Sequence, residues 1–159
     1  MSPARFLEKS RRYSARLRFG GGNLRACEGE GRYAMMKYVM VGIGGGIGSM
    51  LRFWVSSFLG ERMGGRFPYG TFAVNITGSF LIGFIVTLLA SRADWDPHWR
   101  YLIPIGFIGG YTTFSAFEYE SLRSMQDGKM LVASLNVILS VTLGFAAVWL
   151  GTVAGRSLE

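Results

Sequence analysis

Thr71, Asn75 and Ser79 recur at spacing four, so on a helix they share one face. Their neighbours are apolar, and an amide set in such a face has two uses. It can clamp an adjacent helix, or its N–H donors can meet an anion stripped of water. Residue types alone leave both open. Phe114 and Phe117 are three apart and lie on one side of another helix. Aromatic edges carry positive potential and can face an anion path, although such a pair serves equally in packing or lipid contact. Just ahead of them, Gly109-Gly110-Tyr111-Thr112-Thr113 places paired glycines and two threonines inside an apolar stretch, which disfavours a continuous helix. A break frees main-chain carbonyls, which a bilayer tolerates only when they are buried in protein or coordinate something. Carbonyl oxygens suit a hard cation such as Na⁺. Arg52, two thirds along a different apolar stretch, either attracts anions into a vestibule or snorkels to the interface. Asn136, Ser140 and Gly144 form a further stripe at spacing four that could line a path or merely pack.

Four apolar segments must position these residues, at about 38–59, 70–90, 101–122 and 130–152. Each is long enough for the roughly 20 helical residues that a bilayer core requires. Short polar turns separate them, around Pro68, around Pro97, and at Arg123–Lys129. Backbone polar groups in hydrocarbon must be satisfied internally, so the spans are expected to be helices. A soluble bundle would need covering segments that these spans do not leave. Half the chain is apolar and 17% is charged, which fits the same class. The glycines at 42, 44, 45, 46 and 48, with Ser49, repeat at spacing four and read as close helix packing.

The net charge of +7 is concentrated at the start, where residues 1–33 hold eight basic against three acidic side chains. Residues 1–34 read as a basic polar extension, either a disordered tail on anionic lipid or a start-site artefact ahead of Met35 and Met36. The four-helix domain is then 35–159. Outside the tail, Lys37, Arg92, Arg100 and Arg156 face Arg62, Arg66, Arg123 and Lys129, four against four. Such a tie sets no orientation, so copies can insert both ways and pair about an axis in the membrane plane. Cys27 is the lone cysteine and His98 the lone histidine, which excludes a disulfide framework and argues against histidine-centred catalysis. No mid-span nucleophile or acidic pair suggests an enzyme. No nucleic-acid partner is expected, because the basic excess belongs to the tail.

Three blocks together resemble the bacterial CrcB/Fluc fluoride-channel family. They are Gly44-Gly45-x-x-Gly48-Ser49-x-x-Arg52, Gly70-Thr71-x-x-Val74-Asn75-x-x-Gly78-Ser79-Phe80, and Gly106-Phe107-x-Gly109-Gly110-x-Thr112-Thr113-Phe114-Ser115-x-Phe117. The resemblance covers about Met36 to Thr152. It implies an all-α membrane protein with four transmembrane helices, the third broken at mid-membrane, working as an antiparallel (dual-topology) homodimer in the bacterial inner membrane. It further implies passive fluoride export through two pores per dimer, around a central structural Na⁺. By motif position, the backbone carbonyls of Gly109 and Thr112 would hold that Na⁺. Asn75, Phe114 and Phe117 would line the pore, with Thr113, Ser115, Glu120 and Ser140 beside them and Arg52 in the vestibule. Ala116, Glu118, Tyr111 and Asn136 depart from the usual residues of the pattern. The rival reading is a small dual-topology multidrug exporter. Such proteins carry a carboxylate in the first span, where this chain has only Arg52.

Overall fold

The structure is a computed structural model that describes residues 23–64, 66–91 and 95–158, with side chains from residue 32 onward. The reading of residues 1–22 as part of a dispensable extension lies outside this range, as does Arg92 of the charge tally. The chain divides into two compact units, residues 1–36 and 37–159.

Every regular element among the described residues is a helix, and none is a strand. Helix α1 is Asn23–Met63, so it begins inside the stretch read as an extension. It also outruns the expected end near Leu59 and stops at Gly64, whose φ of 73° ends a helix at little cost only for glycine. Helix α2 is Tyr69–Ser91 and starts directly after Pro68, whose missing N–H costs nothing there. A short turn α3, His98–Arg100, leads into wide π-type turns over Tyr101–Ile108 and then α4, Gly109–Tyr111. Pro104 accounts for the widening. It has no N–H for the carbonyl of Arg100, and its ring crowds that carbonyl, so the local turns open.

The helix then stops. Thr112 and Thr113 are extended, with φ/ψ of −77°/156° and −149°/120°. Helix α5 restarts at Phe114–Gln126, capped by Thr113, whose side-chain oxygen accepts from the amide of Ala116 at 3.3 Å. The break expected within the Gly109–Thr113 run is therefore present, at its two threonines. A turn through Gly128, at φ 75°, reaches α6, Met130–Arg156. Three described segments are long and apolar enough to cross a membrane: Arg32–Met63, Tyr69–Ser91 and Met130–Arg156. The remaining apolar stretch, the third, is the interrupted one.

Packing follows the small residues. A methyl on Gly83 would strike the carbonyl of Val148, and one on Gly151 the carbonyl of Phe80, so α2 and α6 meet backbone to backbone. Gly44 and Gly48 of α1 stand likewise against Leu102 and Phe107 of the π-type turns, which confirms the packing reading for that pair. Gly42 and Gly46 face open space instead. Large apolar side chains point outward, with Phe53 74% and Phe145 76% exposed. Lipid, not water, is the solvent that such a surface suits.

Candidate functional site: a broken helix held by its neighbours

The site is built on the two extended threonines. Asn75 of α2 donates through Nδ2 to the Thr113 carbonyl at 3.0 Å and accepts at Oδ1 from the Thr113 amide at 2.9 Å. The side chain thus pairs with one residue's main chain as a neighbouring strand would. Of the two uses open for Asn75, the clamp is realised. One Nδ2 hydrogen remains beyond that pair.

The diversion of these amides has a consequence for the carbonyls upstream. In a continuous helix the Thr113 amide would bond the carbonyl of Gly109, and the Ala116 amide that of Thr112. Here the first goes to Asn75 Oδ1 and the second to Thr113 Oγ1. Both carbonyls that the motif singled out have lost their helical donors. The Gly110 carbonyl accepts from Ser49 Oγ of α1 at 3.3 Å. Thr112 turns its own hydroxyl back to the Ile108 carbonyl at 3.0 Å.

Beyond the break, Phe114 and Phe117 stand with ring centroids 5.8 Å apart, tilted by 42°. Phe114 is 70% exposed while Phe117 is buried at 9%. They share a side of α5 as their spacing requires, but their surroundings differ. Ser115 Oγ lies 3.5 Å from Thr113 Oγ1. One turn further, Thr71 Oγ1 donates to Glu120 Oε1 at 2.9 Å, so the first two members of the Thr71/Asn75/Ser79 stripe both face this segment. Thr71 and Glu120 also line a cavity of about 430 Å³, with Arg66, Arg123 and Lys129 around it. Lys129 pairs there with Asp127 at 3.6 Å.

Ser140 is not part of this cluster. Its hydroxyl donates to Asn136 Oδ1 at 3.3 Å, and Asn136 Nδ2 donates to Ser121 Oγ at 2.8 Å. Ser121 Oγ donates in turn to the Phe117 carbonyl at 2.8 Å. This chain joins α6 to α5 behind Phe117, with Asn136 2% and Ser121 6% exposed. Sequence reasoning missed Ser121, although its place four residues after Phe117 was the available signal. It also missed Thr77, whose Oγ1 lies 3.0 Å from the Tyr111 hydroxyl. Arg52 sits half-buried on α1 and makes none of these bonds.

Comparison with known proteins adds the lineage. A family model described as CrcB-like protein, Camphor Resistance (CrcB), matches residues 39–152. The fluoride-specific ion channel FluC of Acidobacterium capsulatum is 53% identical over 123 residues, which is 77% of this chain and 98% of that protein. The FluC of Solibacter usitatus is 46% identical over 121 residues, covering 76% and 99%. That of Coxiella burnetii is 44% identical over 124 residues, covering 77% and 100%. These relatives are named as channels, not enzymes. With a family match across most of the chain and helices fit to cross a bilayer, this multi-pass membrane protein belongs to the CrcB-like family.

Proposed function

We propose that this protein is a fluoride-specific channel that lets F⁻ leave the cell passively and so limits its toxicity. The observation that carries the reading is the break at Thr112–Thr113, opened by Asn75 and followed at once by the Phe114–Phe117 pair. Relatives matched over 98% and 99% of their own length bear the name fluoride-specific ion channel at 53% and 46% identity. Fluoride is strongly hydrated, so a narrow path must replace water with several donors and positive edges acting together. The remaining N–H of Asn75, the hydroxyls of Thr113 and Ser115, and the ring edges of Phe114 and Phe117 offer that set. Glu120 and Ser140 flank it, and Arg52 draws anions to the vestibule.

The finer reading has four spans, the interrupted segment being one, and an antiparallel homodimer with two pores. The even distribution of basic residues supports opposite insertion of two copies. A structural Na⁺ would be held by the carbonyls of Gly109 and Thr112 from both copies. The loss of both helical donors leaves these oxygens suited to a hard cation. The drug-exporter alternative has nothing comparable in its favour, since the apolar stretch 38–59 of the first span carries no carboxylate.

The test is fluoride efflux from liposomes containing the purified protein, read with a fluoride electrode, with chloride-loaded vesicles as control. Rapid fluoride loss without chloride loss is expected. Fluoride retention equal to that of protein-free vesicles would overturn the proposal.

A further inference from the structure

Three consecutive residues lead into or form the break, and α2 contacts each one. Asn75 holds Thr113, Gly78 makes room for Thr112, and Thr77 meets Tyr111. A methyl on Gly78 would collide with Thr112 Cγ2 and approach Tyr111 Cδ1 to 3.3 Å. Thr77 Oγ1 lies 2.7 Å from the Ala73 carbonyl, 3.2 Å from the Val74 carbonyl and 3.0 Å from the Tyr111 hydroxyl. Its single proton suits the nearest carbonyl, which leaves Oγ1 to accept from the phenol of Tyr111.

Tyr111 is 6% exposed, and its ring lies nearly parallel to that of Phe107, with centroids 6.2 Å apart. It is the last helical residue before the chain extends. The turns ahead of it are already widened at Pro104, and a widened segment can redistribute its bonds by one residue. A tether at the final helical residue opposes that slip. We propose that Tyr111 is a positioning residue, whose bond to Thr77 fixes where the helix ends and hence where the Gly109 and Thr112 carbonyls point. This rests on the channel reading above only for its bearing on conduction.

Tyr111→Phe removes the donor while keeping the ring and its stacking. Thr77→Val removes the acceptor at similar volume, and Thr77→Ser keeps it. Hydrogen–deuterium exchange over residues 109–116 reads the tether without any need for transport. Tyr111→Phe and Thr77→Val should each speed exchange there by about fivefold, as loss of one neutral hydrogen bond predicts. The double variant should add little, and Thr77→Ser should match the parent. The first two should also raise the Na⁺ concentration that half-maximal fluoride efflux requires. Parental exchange in Tyr111→Phe overturns the tether. Faster exchange with parental efflux and Na⁺ dependence overturns its bearing on conduction. If the parent itself passes no fluoride, the exchange result still decides the tether, and the channel reading is what falls.

Discussion

Asn75 and Thr113 exchange two hydrogen bonds, side-chain amide to main chain, at 3.0 and 2.9 Å. A β-bridge within a helical protein is reproduced here by one side chain. It satisfies the amide and carbonyl of a residue that the helix has released and that the fold buries to 9% exposure. The same bonds take the Thr113 amide away from Gly109. Clamping and carbonyl release are thus one event.

Asn75→Asp should therefore act twice. The carboxylate keeps an acceptor for the Thr113 amide but sets a second oxygen against the Thr113 carbonyl, and its charge repels an anion. We expect fluoride efflux to vanish and thermal stability to fall by about 1–3 kcal/mol. An Asn75→Asp protein with parental melting and parental efflux would contradict both parts.

The two rings should separate in their side effects. Phe114→Ile keeps apolar bulk at an exposed position, so fluoride efflux should drop by about tenfold, about 1.4 kcal/mol in barrier, with stability intact. Phe117→Ile should lose efflux and some stability, since that ring is buried. Phe145, 76% exposed on α6, serves as the control, and Phe145→Ile should change little. Efflux at the parental rate from both Phe114→Ile and Phe117→Ile would return these rings to packing.

Replacing Na⁺ by a large organic cation should loosen the dimer and slow efflux. Ligand binding to the assembled form alone stabilises it by roughly 2.7 kcal/mol when Na⁺ stands at 100 times its dissociation constant. Thr112→Ala should retain the Na⁺ response, because the proposed ligand is main chain. Identical dimer dissociation in the two salts would remove the cation from the account.

Orientation can be forced. Several lysines added to the turn between α5 and α6 should bias insertion one way, and a tandem fusion of parallel copies should be inactive. Efflux from the parallel fusion at the level of an antiparallel one would refute opposite pairing.

Much of this was legible in residue order. Long apolar runs bounded by Pro68 and by the turn at Gly128 predicted the helices, since hydrocarbon leaves the backbone few alternatives. Spacing four correctly set Thr71 and Asn75 on one face, and Gly44 and Gly48 on another. The Gly-Gly-x-Thr-Thr run announced a break. Its position was not legible, because local preference puts the glycines at the weak point while the structure keeps Gly109 and Gly110 helical. Thr112 and Thr113 extend because Asn75, 38 residues away in the chain, supplies the bonds that the helix gives up. Nor did spacing separate Ser140 from the Asn75 cluster. That depended on Asn136 lying against Ser121, which is a matter of how α6 rolls on α5. Periodicity tells which residues share a face. Only the docking of one helix on another decides what that face meets, since the bonds that settle it, Asn75 to Thr113 and Asn136 to Ser121, join groups 38 and 15 residues apart in the chain.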